Sequence, residues 1–215
     1  LVIKKFIMKK IAFYLLICLV SLTAQAQIIK PLKSYYTDPK NYYDDNSLFT
    51  QLVYYKDTFN HFTPFIGSWK YVEGNKTFIV TLYKKTKEAS YWNDNIAYYM
   101  DDIYGHYRLV EDYGLPTETE IYNSQDLTGN RPMEIFSLSP ETSYLNIECR
   151  IYDVVGANNN PNFGMGMEGN LKITINNSTS PLTAQWTVTP IYEKWYKDGE
   201  PTSFVVPTNI VLTKM

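Results

Sequence analysis

FIGSWKYVEGNKTFIVTLYKK, residues 65–85, is the stretch on which the fold turns. From Thr77 to Lys84 its side chains alternate: Phe78, Val80 and Leu82 fall on one face, Thr77, Thr81 and Tyr83 on the other, with Ile79 the exception. A period of two over eight residues is the mark of a half-buried strand. Glu73-Gly74-Asn75 is a turn signal, and Gly67–Val72 before it reads as the partner strand of a hairpin. Gly67 allows close backbone packing or an unusual dihedral where the chain enters the sheet. Trp69 carries a payload of roughly 150–250 Å² for a core.

The same pattern repeats beyond this hairpin. Further strands are expected at Tyr104–Glu111, Glu118–Asn123, Met133–Leu138, Tyr144–Val154, Asn170–Ile175, Leu182–Thr189 and Asn209–Lys214. Leu171, Ile173 and Ile175 oppose Lys172, Thr174 and Asn176; Leu182, Ala184, Trp186 and Val188 oppose Thr183, Gln185, Thr187 and Thr189. Turn-forming runs separate them, the longest being the glycine-rich Ala157–Glu168, expected to be a mobile hairpin connection. About nine strands with hairpin links and no crossover helices make an all-β antiparallel meander. Closing it up-and-down into a barrel of about 8–10 strands removes the exposed edges that 20 tyrosines, ten phenylalanines and four tryptophans would otherwise endanger. A β-sandwich fits the same alternation.

Residues 1–26 read as an address. Lys4, Lys5, Lys9 and Lys10 precede an apolar run from Ile11 to Leu22 and the small-residue ending Ala24-Gln25-Ala26, with Met8 as the expected start. The run is shorter than the ~20 residues that span a bilayer, so a cleaved signal peptide and no membrane span are expected. Without residues 1–26 and their four lysines, 16 basic side chains face 22 acidic ones, a net charge of about −6. That opposes a nucleic-acid partner. Only Cys149 then remains, so the core must hold by packing and not by an intrachain disulfide. Residues 27–60, with SYYTDPKNYYDDN and LFTQLVYY, read as an irregular tyrosine-rich arm, in which Asp57-Thr58 would cap one short helical turn. Residues 61–215 form the barrel domain.

Gly67, Ser68 and Trp69, entered from Phe65 and Ile66, resemble the opening of the lipocalin and wider calycin barrels. The resemblance implies that Trp69 plugs the closed end of the barrel and that a basic side chain from near the end of the chain packs on its ring. Lys214 is the candidate, where those families usually carry arginine. More specifically, AQAQ at the signal ending, YYKDT at 54–58, GSWKY at 67–71 and VPTNIVLTK at 206–214 are similar, in order and spacing, to an uncharacterised family of small secreted proteins from Bacteroidota. That resemblance implies a lipocalin-like fold, an exported protein of the periplasm or cell surface, and no established activity.

Catalytic constellations are scarce. Cys149 lies on the Leu145, Ile147, Ile151 face and reads as a small buried hydrophobe. His61 and His106 are too few for a three-histidine zinc site. Asp44-Asp45 and Asp101-Asp102 lack the spacing of a calcium loop and read as solvated loop acids. Glu118 and Glu120 share a strand face with nothing to split their roles into acid and base. GMGMEGN at 164–170 lacks the lysine and helix of a phosphate loop and reads as a flexible hairpin. No catalysis, cofactor or metal is therefore expected. Two readings remain open. In one the barrel binds a small apolar or amphipathic ligand, lined by Phe78, Val80, Leu82, Leu171, Ile173, Trp186 and Val188. In the other the barrel is filled, and the protein is a structural or interaction module with a docking surface in the tyrosine-rich arm, at Tyr35, Tyr36, Tyr42, Tyr43, Tyr54 and Tyr55.

Overall fold

The computed structural model describes residues 27–32, 53–92, 95–125, 134–140, 145–155, 166–191 and 201–215. The hairpin at 67–85 forms as its alternation dictates. Strand β3 (Gly67–Glu73) pairs with β4 (Lys76–Trp92) from Gly67↔Leu82 to Glu73↔Lys76. Next come β5 (Asn95–Glu111), β6 (Thr119–Asn123), β7 (Ile135–Pro140), β8 (Asn146–Asp153), β9 (Met167–Asn176), β10 (Thr183–Pro190) and β11 (Asn209–Lys214). β3, β4, β5, β7, β8, β9, β10 and β11 follow one another around a closed antiparallel barrel of eight strands. The closure excludes the sandwich.

Alternation sorts the side chains as the sequence requires. β9 reads buried at Met167, Gly169, Leu171, Ile173 and Ile175 and open at the residues between, while β10 buries Ala184, Trp186 and Val188. With Ile147, Cys149 and Ile151 of β8 these form the interior.

Two departures matter. Residues expected to be an irregular arm contribute two strands, β1 (Ile28–Pro31) and β2 (Val53–Lys56), which pair in parallel; β2 then pairs in parallel with β5 at Tyr54↔Tyr99 and Tyr55↔Met100. Val53, Tyr54 and Tyr55 are all buried, so no alternation betrays the strand. Also, β4 and β5 run 17 residues each, well beyond the expected Lys84 and Tyr104. The added part of β4 is mostly polar and that of β5 (NIAYYMDDI) shows no clean alternation; the two are paired through a register shift between Lys85 and Glu88, where Lys87 has φ +57°. β9 likewise begins at Met167, inside the expected connection; residues 164–165 lie outside the described residues.

One edge of β5 is therefore shared by three partners. β2 meets it at Tyr99 and Met100, β7 at Tyr104 and Gly105, and β6 from Arg108 to Glu111.

Candidate functional site

The seven residues expected to line a cup are all inward, and none is more than 5% exposed. They pack against one another and against the opposite wall. The Phe78 ring centroid lies 5.9 Å from that of Trp186 and 6.0 Å from that of Tyr107. Large rings from β4, β5 and β10 thus meet in the middle of the barrel.

One end is stoppered by residues 61–66. Phe62 and Phe65 are buried, Trp69 is 1% exposed, and its Nε1 donates to the Phe65 carbonyl at 2.8 Å. Lys214 sits over this ring at 5.1 Å and donates to the Pro64 carbonyl at 3.0 Å. Gly67 has φ +117°, a conformation that excludes a side chain, and a Cβ there would lie 3.6 Å from Lys214 Cε. The stopper is shaped by Asp57, whose carboxylate accepts the amides of His61 (2.8 Å) and Phe62 (3.2 Å). The result is linked turns, Thr63 to Asn60 and Phe65 to Phe62, in place of the expected helical turn.

Asp57 belongs to a buried polar cluster. Lys84 Nζ lies 3.2 Å from Asp57 and 3.1 Å from Asp101, Tyr54 donates to Asp101, and the amides of Asp57 (3.0 Å) and Lys87 (3.2 Å) do so too. Burial pushes the Asp101 carboxyl up, but these donors outweigh it and hold it below the ordinary carboxylate value. The cluster ties β2, β4 and β5 together and fixes the Lys87 bulge. It is a clamp in which one ammonium is shared by two carboxylates, with phenol and backbone N–H donors making up the balance.

Asp101-Asp102 is thus no solvated loop pair, as both residues lie within β5 and are buried. Asp102 accepts from Ser137 Oγ and from the Ile103 amide at 2.8 Å, where β5 and β7 part. Burial raises its carboxyl from 3.8 to about 6 against those hydrogen bonds. A mid-strand aspartate in YYMDDIYGHY, between apolar alternating residues, was the signal for a buried role.

The opposite end is covered by the segment leading into β11. The amides of Val205 and Val206 donate to Asp153 at the end of β8, the latter at 3.2 Å. The Phe204 ring lies over Gly169 of β9, so close that a Cβ there would stand 2.6 Å from it. Trp186 Nε1 of β10 then donates to the Pro207 carbonyl at 2.8 Å. Residues 204–207 therefore cross from β8 over β9 to β10, with Val206 buried in the core. Tyr107 Oη reaches this end, donating to the Tyr152 carbonyl (2.8 Å) and accepting the Val154 amide (3.1 Å). Burial and then Asp153 raise its phenol well above 10.

The remaining candidates are dispersed. Cys149 is fully buried and burial drives its thiol upward, away from the nucleophilic thiolate. Half-buried His106 is lowered by burial and then by Arg108. Glu118 and Glu120 flank Arg108 at 3.8 and 3.7 Å as ion pairs. Of the tyrosines assigned to docking, Tyr54 and Tyr55 are buried, and Tyr35, Tyr36, Tyr42 and Tyr43 lie outside the described residues, as does Asp44-Asp45. Among the described residues no group of three or more His, Cys, Asp or Glu could hold a metal ion, and no helix is long and apolar enough to cross a membrane.

No curated protein and no solved structure matches the chain. Residues 8–135, which run from the leading segment through the stopper, the β3–β4–β5 hairpins and the start of β7, match a family of unknown function, DUF6705, and the chain belongs to that family.

Proposed function

We propose that this is an exported, non-catalytic interaction module in which the barrel is a filled scaffold and partners bind its outside. The observation that carries this reading is the contact of Phe78, Trp186 and Tyr107 across the interior, between a stopper at each end. A pocket for a small molecule takes about 300–1,000 Å³, whereas the side chains first considered as its lining are spent on one another. Export is supported by the charged, apolar and small-residue order of residues 1–26.

Native mass spectrometry of the protein, gently purified from its own source, tests this. The expected species is the bare polypeptide beginning at Gln27. A reproducible additional mass lost on denaturation would replace the filled scaffold with a ligand cup, and retention of residues 1–26 would remove the export reading.

A further inference from the structure

The seam between β3 and β11 is paired over two residues only, Thr213↔Lys70 and Lys214↔Trp69, with one further bond from the Met215 amide to the Ser68 carbonyl at 3.0 Å. Both strands continue past this point toward the end covered by residues 204–207. The polarity of their backbones follows from the bonds they make. Lys214 N–H bonds Leu182 of β10 and Val188 N–H bonds Thr208, so the even-numbered residues of β11 face β10 and Val211 and Asn209 face β3. Ser68 faces β11, so Lys70 and Val72 do too. In register, Val72 is the next residue to exchange bonds with Val211, and the two are not paired. Among the described residues their N–H and C=O groups, with those of Asn209, have no pairing across the seam and line a slot there, and such groups demand partners.

Both faces of the slot are apolar. Val72 and Val211 stand outward at 55% and 53% exposed, while Tyr71 and Ile210 point inward, only partly buried against the core. Charge marks its two ends. Lys70 stands at the closed end, over the Tyr113 ring at 5.9 Å and, among the described residues, without an ion pair; Glu73 is exposed at the open end.

We propose that this slot is a docking site for an extended segment of another protein, pairing by its backbone with β11 and β3. The segment would be apolar on both faces, acidic where it meets Lys70 and basic about three residues on, where it meets Glu73. Lys70 to Glu73 spans about 10 Å at ~3.3 Å per residue, which sets that spacing. Strand addition to an open edge is an established mode of peptide recognition. The proposal rests on the reading of the barrel as an interaction module and supplies its surface.

The test is a titration of the isotope-labelled protein with acetyl-Gly-Asp-Val-Ile-Lys-Gly-amide, followed by amide resonances. The amides of Val72, Asn209 and Val211 are expected to shift saturably. The same peptide N-methylated at the valine and the isoleucine, unable to pair, is expected to shift none of them. Val211→Pro removes an N–H that β10 does not use, so the β10–β11 ladder stands, and it is expected to weaken peptide binding at least tenfold. Absent shifts, or equal shifts with the methylated peptide, overturn the proposal even if the proline variant fails to fold. Concentration-dependent dimerisation that moves the same amides without peptide also overturns it, giving the slot to a second copy of this chain. A small molecule found in the barrel would sink the filled-scaffold reading without moving these amides, so the two failures are distinguishable.

Discussion

Two seams close the barrel with similarly little backbone pairing, and they are finished differently. Among the described residues β5 and β7 pair at Tyr104↔Phe136 and Gly105↔Ile135, and β3 and β11 pair at Thr213↔Lys70 and Lys214↔Trp69 with one bond more from the Met215 amide to Ser68. Around the first, side chains stand in for the missing ladder. Asp102, Ser137 and the Ile103 amide bond one another on one side, and on the other buried Ser124 accepts the Tyr107 amide at 3.0 Å. At the second seam, only one side is sealed, by Trp69 and Lys214 against the 61–66 stopper. On the other side, among the described residues, the pairing stops at Thr213↔Lys70. Closure thus needs few strand-to-strand bonds when short polar side chains reach into the gap, and a seam without them keeps a short ladder.

Breaking the sealed side of the β3–β11 seam should have the largest effect. Trp69 fills the barrel end, accepts the Lys214 cation on its ring and anchors the stopper through Phe65. Trp69→Ala is expected to cost about 3–5 kcal/mol. At ~2–4 °C per kcal/mol for a chain of this size, the melting temperature should fall by roughly 6–20 °C. A fall below about 3 °C in a calorimetric scan would show that the stopper, and not the indole, holds the seam.

The β5–β7 seam should respond to pH, with a definite sign. Asp102 binds its proton more tightly folded than unfolded, because burial raises it from 3.8 to about 6. Its contribution is therefore most favourable below about pH 4, declines as pH rises through 6, and stays low above that. Asp102→Asn keeps an acceptor for Ser137 and Ile103 without the charge. It should match the parent at pH 4 and exceed it at pH 8 by on the order of 3 kcal/mol, at ~1.4 kcal/mol per unit. Urea unfolding at the two pH values measures this, and an equal difference at both would refute the buried-charge account of the seam.

The two seams also differ in how far they were legible. The hairpin of β3 and β4, the inward set Phe78, Val80 and Leu82, and the strand character of β9 and β10 follow from alternation, since one face of each strand meets the core and the other meets water. The Trp69–Lys214 contact was reached through resemblance, not through any local pattern. Asp102, Ser137 and Ser124 were illegible as a group because their link is spatial: they lie on β5, on β7 and beyond β6. Asp101 was missed for a related reason. Its partners Tyr54, Asp57 and Lys84 come from β2, the turn after it and β4, and β2 itself was hidden by the burial of three successive residues, Val53, Tyr54 and Tyr55. The stopper formed by 204–207 carries turn residues and valines that periodicity cannot distinguish from a loop on the surface. The open slot is read only from register, which no single strand's sequence encodes.

Ser124→Ala sharpens the comparison on the other side of the β5–β7 seam. It leaves the Tyr107 amide buried without its acceptor, at a cost of about 1–3 kcal/mol. The loss should concentrate there, so hydrogen exchange at the Tyr107 amide is expected to quicken more than at Leu82 or Ile173. Uniform quickening would mean that Ser124 holds the barrel globally and is no local seal.

Lys214 gives the smallest effect and the finest distinction. Its ammonium does two things at the sealed end of the β3–β11 seam, sitting on the Trp69 ring and bonding Pro64 O. An exposed cation over a ring is worth about 0.5–1 kcal/mol, and a hydrogen bond with a charged donor somewhat more than the ~1 kcal/mol of a neutral one. Lys214→Met keeps the apolar stem across Gly67 and loses both, so a cost of about 2 kcal/mol is expected. Arginine is also cationic, presents a planar face to the indole and keeps donors for Pro64. Lys214→Arg should therefore lie within about 0.5 kcal/mol of the parent. If arginine were as damaging as methionine, the requirement would be the compact ammonium in the space beside Gly67, and the seam would be closed by shape at this point and not by charge.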